Sequence, residues 1–273
     1  MRTVLTIAGF DPSSGAGVTA DLMVFAAHGL FGSSCVTGLT VQSTLGVRST
    51  TPVSSDVVQE TLDCLENDLP AVGIKIGMLA SAANVVVVAE FLERVRAVRA
   101  VPVVLDPVVR SSSGRELLDD AGVEVLRKRL LPLVDWVTPN LAEAGVLTGL
   151  LVRGREEMVE AARVLQTKGS GLNVVVTGGH LDSPDDLLLS AEGDATWIAG
   201  ERIDSRSTHG TGCVFSSALL SRVVWGDVGQ DAVGKAKEYV AEAIRRAVPV
   251  GGGVGPVDSL WPLRKGLAAL EFG

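Results

Sequence analysis

The chain is short of several things, and each shortage narrows what it can do. It has three cysteines, Cys35, Cys64 and Cys213, widely scattered and without a CxxC pair. Neither a disulfide framework nor a zinc site is expected, and free thiols suit the cytoplasm. Aromatic residues are only 4% of the chain, too few for a base-stacking surface. Positive charge is the minority sign, 24 Lys and Arg against 32 Asp and Glu in 273 residues, for a formal net charge of −8. That balance argues against nucleic acid as a partner. Long apolar runs are missing too: stretches such as ANVVVVAEFL are cut by charge well before the ~18 residues of a membrane span. The opening MRTVLTIAGFDP turns to Gly-Phe-Asp-Pro too early for a signal peptide and reads as a strand. GxxxxGK(S/T), a GxGxxG after a strand, HExxH and GxSxG are all absent. Their absence weakens P-loop, dinucleotide-binding and common hydrolase readings.

Hydrophobic residues make up 47% of the sequence, enough for a sizeable core. Short β-rich runs alternate with helical patterns. Strands are expected at 3–9, 34–42, 71–79, 102–106, 135–140 and 173–179, with a hairpin over 186–200. Helices are expected at 19–29, 55–68, 82–98, 119–130, 141–149, 155–168, 211–225 and 229–247, and a glycine-rich loop at 251–255. This alternation implies βαβ units, and so an α/β fold with a mostly parallel central sheet and helices on both faces, one domain over 1–273. Ligands in such folds sit at the carboxyl ends of the strands. The polar and glycine clusters GFDPSSGAG, Gly77-Met78, Asp106-Pro107, Pro139-Asn140 and Gly178-Gly179 fall there.

STHGTGC, residues 207–213, opens an apolar helical stretch. The first amides of a helix lack partners and carry the positive end of its dipole. Bare glycines at 210 and 212 let an anion approach, and Thr211 adds a hydroxyl. A thiol at Cys213 in that field is expected to lose its proton more easily than a free cysteine and to serve as a base. An ordinary helix cap with a packed cysteine is the competing reading. Asn140 and Glu143 share one helix face and offer oxygens to Mg²⁺ or its waters, or else simply cap the helix. Asp21, a turn beyond Gly17, is placed to accept from an amine. His28 reads as a helix-end residue. His209 reads as either lining the anion pocket or lying in a solvated loop.

These stretches together resemble the hydroxymethylpyrimidine/phosphomethylpyrimidine kinases of thiamine biosynthesis, in the ribokinase-like superfamily. The resemblance is carried in order by TIAGFDPSSGAGVTAD (6–21), LTVQSTLGV (39–47), VGIKIGML (72–79), VVLDPVV (103–109), VTPNLAEAGVLTG (137–149), VVVTGGHL (174–181), STHGTGC (207–213) and GVGPVDSLW (253–261). It implies a three-layer sandwich and a cytoplasmic, homodimeric kinase. ATP and Mg²⁺ would serve to phosphorylate an aminopyrimidine alcohol and then its monophosphate. It implies Gly210, Thr211 and Gly212 as the anion hole and Cys213 as the base. Gly9, Asp21, Gln42, Met78 and Val108 would surround the pyrimidine. Asp106, Asn140, Thr177 and Gly179 would face the nucleotide, and Asn140 with Glu143 would organise Mg²⁺, through water. The chain departs from the family pattern at Thr177, where lysine is frequent, at Phe10, where serine is usual, and in the loop after Asp106. That loop reads Ser112-Ser113-Gly114 instead of Lys-Ser-Gly, with Arg110 and Arg115 beside it as substitutes. A pyridoxal kinase of the same fold and a non-catalytic ligand-binding module are the alternatives.

Overall fold

The computed structural model describes residues 1–111, 114–179 and 181–267. Ser112 and Ser113 of the loop after Asp106, and His180, lie outside them. Strand β1 (Thr3–Phe10) leads into helix α1 (Gly17–Ala27), followed by β2 (Phe31–Ser43), β3 (Gly46–Pro52) and α2 (Ser55–Asp68). Three strand–helix repeats and a further strand follow. These are β4 (Ile74–Ile76) with α3 (Ala82–Val98), β5 (Val103–Leu105) with α4 (Asp120–Val125), β6 (Trp136–Val137) with α5 (Leu141–Thr148) and α6 (Arg155–Gln166), and β7 (Asn173–Val176). The hairpin of β8 (Asp186–Leu189) and β9 (Ala195–Ile198) precedes α7 (Thr211–Val224), α8 (Gly229–Arg245) and α9 (Trp261–Leu267).

All nine strands form one sheet in the order β3-β2-β1-β4-β5-β6-β7-β8-β9. From β2 to β7 neighbours are parallel, and β3, β8 and β9 join antiparallel at the edges. The inner strands are short β-branched runs because both their faces are covered. Alternation divides them between two helix layers. Val4, Val104, Trp136 and Val175 pack toward α1, α7 and α8. Ile7, Ile76, Leu105, Val137 and Val176 pack toward α2, α3, α5 and α6. The expected three-layer α/β sandwich is therefore what the chain forms.

Several elements differ from the pattern reading. The strand expected over 71–79 is a strand only at 74–76, though hydrogen bonds from Leu5 N to Gly73 O and from Gly77 N to Ile7 O continue its pairing on both sides. The helix expected over 119–130 is α-helical to Val125, then widens to a π turn (Leu126–Leu130) and tightens to a 3-10 turn (Leu131–Leu133). Pro132 cannot donate the hydrogen bond that would continue the helix. Strand β3 had no alternating apolar signal, because it is an edge strand whose residues are half-buried or exposed. Among the described residues no helix is long and apolar enough to cross a membrane.

The chain passes from β1 to β2 on one side and from β3 back to β4 on the other, so the switch in direction lies between β1 and β4. Sheet pairing slips at Ala8/Gly9 and at Val41/Gln42. Such irregularities bend strands and re-aim side chains, and both fall at predicted site residues.

Candidate active site

Sheet order sets the order of the site. Gln42, Gly9, Met78, Asp106, Asn140 and Thr177 lie at or just beyond the carboxyl ends of β2, β1, β4, β5, β6 and β7. Strands are spaced at about 4.8 Å, so the row from Gly9 to Thr177 covers roughly 19 Å. The start of α7 faces its middle: a Cβ on Gly212 would stand 3.9 Å from Asp106 Oδ2.

Gly210 is the N-cap of α7, with φ +82 and no side-chain cap on the first turn. A Cβ there would lie 1.8 Å from Gly15 O, so glycine is required both by the left-handed backbone and by the close approach of the loop after β1. The backbone of Gly212 is exposed and Thr211 is half-buried. The first-turn amides of a 14-residue helix thus open toward Asp106.

The Cys213 thiol lies where two helix starts meet, since the Gly17 N–H that opens α1 donates to it. Its electrostatics overturn one expectation. Burial, with Asp106 and Asp21 nearby, pushes the thiol up to about 12, against the pull of Lys75 and the Gly17 amide. In the free protein Cys213 is therefore a thiol, and the helix field does not by itself make it a thiolate. Asp106 is buried, and burial raises its carboxyl above the ordinary range despite Lys75 and bonds from Ser216 and Cys213. Ser216 Oγ donates to its Oδ2 at 3.3 Å.

The Gly9 end of the row is closely packed, with glycines against Met78. A Cβ on Gly9 would fall 2.3 Å from Met78 Cε, and one on Gly38 would fall 3.0 Å from it. Met78 is 7% exposed, and Val108, past Asp106, is half-buried. His209, 13% exposed at its side chain, donates from Nε2 to Asp11 Oδ2 at 2.7 Å, and the Gln42 amide nitrogen lies 2.9 Å from the same Nε2. His209 is thus a fixed wall residue, packed where Gly15 lacks a side chain, and not a solvated loop histidine. Burial alone would raise Asp11, but bonds from His209 and Ser13 outweigh it and hold the carboxyl low. The loop of Gly251–Gly255 closes this end. Val254 N donates to Thr44 O in the β2–β3 turn, and His209 N donates to Gly255 O.

Asp21 is sealed inside the protein, which corrects the expectation that it reads the ring. It is 0% exposed. Thr6 Oγ1 donates to its Oδ2 at 2.6 Å, Ser217 Oγ to its Oδ1 at 2.8 Å, and Lys75 Nζ to both oxygens at 2.9 and 3.0 Å. The carboxylate does accept from an amine, but that amine is the chain's own Lys75.

At the other end of the row, Asn140 and Glu143 form a capping box on α5. Glu143 N donates to Asn140 Oδ1, and Asn140 N donates to Glu143 Oε2, both at 3.0 Å. The helix-cap reading of this pair is therefore real, and it commits the Asn140 oxygen to the backbone. Burial and the neighbouring Asp106 push Glu143 up to about 8. Thr177 N donates to Pro139 O beside Asn140, and Gly179 is exposed with open space at its Cβ position. Arg115 and Arg48 line an open cavity of about 430 Å³ next to Ser43.

Lys75, Asp11 and Ser217 escaped sequence reasoning. A lysine at the centre of the apolar triplet Ile74–Ile76 was the available signal for the first. Asp11 and Ser217 gave none, since an acid before proline and a serine in a helix are commonplace.

The phosphomethylpyrimidine kinase family model matches residues 11–258. A hydroxymethylpyrimidine/phosphomethylpyrimidine kinase of Haemophilus influenzae is 38% identical over 94% of this chain and 96% of its own length. The thiamine biosynthesis bifunctional protein ThiED of Geobacter sulfurreducens is 42% identical over 94% of the chain, which spans only 52% of that longer protein. Among solved structures, a phosphomethylpyrimidine kinase from Clostridium difficile superposes with TM-score 0.77 at 32% identity, covering 89% of this chain and 100% of that one. An ADP complex of Bacillus subtilis pyridoxal kinase superposes with TM-score 0.86 at 30% identity, covering 97% and 99%. A match that runs from the loop after β1 to the approach to α9, and includes every strand end described above except that of β1, leads to one conclusion: the chain belongs to the phosphomethylpyrimidine kinase family.

Proposed function

We propose that the chain transfers the γ-phosphoryl group of ATP to the hydroxymethyl group of 4-amino-5-hydroxymethyl-2-methylpyrimidine, and then a second group to the monophosphate, in thiamine biosynthesis. The observation that carries this reading is the order of the row: Gly9 packed on the apolar Met78, an uncapped helix start at its middle, and Asp106, Asn140 and Thr177 beyond. A flat heterocycle would lie against Met78, with Gln42 as a polar contact and Val108 beside it. Gly210, Thr211 and Gly212 present amides where charge develops on the transferred group, which is the main demand of phosphoryl transfer. With the site filled, Cys213 first gives its own proton to Asp106, to which it is hydrogen-bonded, and the thiolate so formed takes the alcohol proton as the acceptor oxygen attacks the γ-phosphorus and ADP leaves. Asp106, Thr177 and Gly179 border the nucleotide phosphates.

Mg²⁺ fits what is there. Glu143 is a buried acid whose proton is held partly by the repulsion of Asp106, a setting that a cation relieves. Among the described residues no three acidic, histidine or cysteine side chains gather as a metal cage. That suits an ion which keeps waters and phosphate oxygens. Glu143, oriented by Asn140, would hold it through water, and the ion would supply charge neutralisation on the phosphates. The chain works in the cytoplasm, where its free thiols stay reduced. It pairs as a homodimer through the exposed Leu39, Val41 and Leu45 of the β2–β3 hairpin.

Pyridoxal kinase is the second reading, favoured by the TM-score of 0.86 with a protein so named. The test is initial rate with ATP and three separate acceptors: the pyrimidine alcohol, its monophosphate and pyridoxal. The proposal requires kcat/KM for the pyrimidine alcohol to exceed that for pyridoxal. The reverse order would make pyridoxal the substrate, and no turnover with any of the three would leave only a binding module.

A further inference from the structure

Lys75 is 0% exposed and occupies a place in β4 where every pattern argument calls for an aliphatic side chain. It pairs with Thr6 of β1 in the sheet, and both residues point toward α1 and α7, where Asp21 takes a hydrogen bond from each. Its ammonium rises under the active-site floor: a Cβ on Gly77 would stand 2.9 Å from Nζ. The glycine before Met78 therefore leaves room for the head of this lysine. Asp21 reaches α7 through Ser217, one helical turn beyond Cys213. Four ionisable groups from four elements face one another here: Asp21 of α1, Lys75 of β4, Asp106 after β5 and Cys213 of α7. Lys75 is the cation among them. Burial would strip its charge, but Asp21, which takes hydrogen bonds from its Nζ at both oxygens, keeps it protonated.

A buried ion pair is seldom needed for stability, because apolar residues of the same shape often serve as well. What such a pair does provide is a charge fixed in direction. We propose that Lys75 is a positioning residue of the transfer reaction: its ammonium, pinned by Asp21 under Gly77, is the internal cation that faces the Cys213 thiol and stabilises negative charge there as the acceptor hydroxyl comes to react. Asp21, tied to Ser217, keeps the start of α7 in register with that charge. The proposal rests on Cys213 serving the transfer, so its test reads the thiol as well as turnover.

Lys75→Met alone strands a buried carboxylate and is expected to unfold the chain. The decisive variant is K75M/D21N. It removes both charges, leaves the net charge unchanged and keeps an amide acceptor for Thr6 or Ser217. Its circular dichroism should match wild type. Its KM values for ATP and the pyrimidine alcohol should stay close to wild type, while kcat for the first transfer falls about tenfold or more, the equivalent of one pKa unit. The second transfer should fall less, since a phosphate monoester acceptor has already lost its proton. A folded double variant with wild-type kcat, or with both transfers reduced alike, would make Lys75 a purely structural residue. Should the double variant not fold, D21N decides, with alkylation of the Cys213 peptide by iodoacetamide followed by mass spectrometry. Without the carboxylate that keeps it charged, Lys75 should shed its proton, and Cys213, on which the ammonium acts more strongly than Asp21 does, should react several-fold more slowly than in wild type; an unchanged or faster rate would overturn the proposal. The alkylation result stands whether or not the pyrimidine proves to be the acceptor, so failure of the functional reading and failure of this one are distinguishable.

Discussion

Cys213 combines a privileged position with an unhelpful resting state. The first amide of α1 donates to it at the start of its own helix, yet burial among carboxylates keeps its proton on, up to about 12. Iodoacetamide at pH 8 should therefore label exposed Cys64 quickly and Cys213 slowly; equal rates would mean that the thiol is already ionised. Cys213→Ala should lower kcat about 10²–10⁴-fold, the usual range for a lost general base, with less change in the KM for ATP. Near-wild-type turnover would return Cys213 to the role of a packing residue. Glu143 makes a pH prediction. Its acid is raised from the ordinary 4.5 to about 8, so between those values the native chain keeps a proton that the unfolded chain has released. Stability contributed by this group must then fall as pH rises through that window. Glu143→Gln keeps an acceptor for the Asn140 amide and has no proton to lose. In EDTA, the urea midpoint of Glu143→Gln minus that of wild type should grow from pH 5 to pH 8; a flat difference would contradict the raised acid. With Mg²⁺ present, the variant should need more of the ion for half-maximal rate.

At the scale of elements, the start of α7 matters most. Gly210→Ala puts a side chain on a backbone with φ +82 and within 1.8 Å of a carbonyl oxygen, at a conformational cost of about 1–2 kcal/mol before any clash. The chain should still fold, with a lower Tm and a kcat that falls more than stability alone explains. In α8, Gly234 has nothing within 4 Å of its Cβ position, so Gly234→Ala should stabilise by about 0.5–1 kcal/mol and leave kcat alone. A Gly210→Ala variant as active as Gly234→Ala would show that the α7 start is not strained into place for function. Much of this scale was legible in the sequence. The helices at 55–68 and 82–98 carry a serine at or next to the helix start and an apolar period, and they end where expected. The strand ends were marked by glycine, proline and asparagine. What was hidden depends on partners distant in the chain. Asp21 looked like a ligand contact because only folding brings Lys75 from 54 residues away. His209 looked ambiguous because Asp11 lies 198 residues off. The π turn after Val125 answers to packing against α3, which no local pattern records.

Across the whole molecule, the proposed acceptor side, helix start and nucleotide side follow one another along the carboxyl ends of the strands, in the order the sheet sets. A single α7 start would serve both phosphorylations, the second with an anionic acceptor. The amides of Gly210–Gly212 and the arginines at 48 and 115 bordering the nearby cavity are the groups available to offset that repulsion. The most direct measurement is a ³¹P NMR time course with ATP, Mg²⁺ and the pyrimidine alcohol, repeated on the monophosphate with the alcohol added as inhibitor. The account predicts that monophosphate appears first and is then converted to diphosphate. It also predicts that the alcohol inhibits the second transfer competitively, with an inhibition constant equal to its own KM in the first. Absence of diphosphate, or inhibition that is not competitive with the monophosphate, would contradict a single site for both transfers.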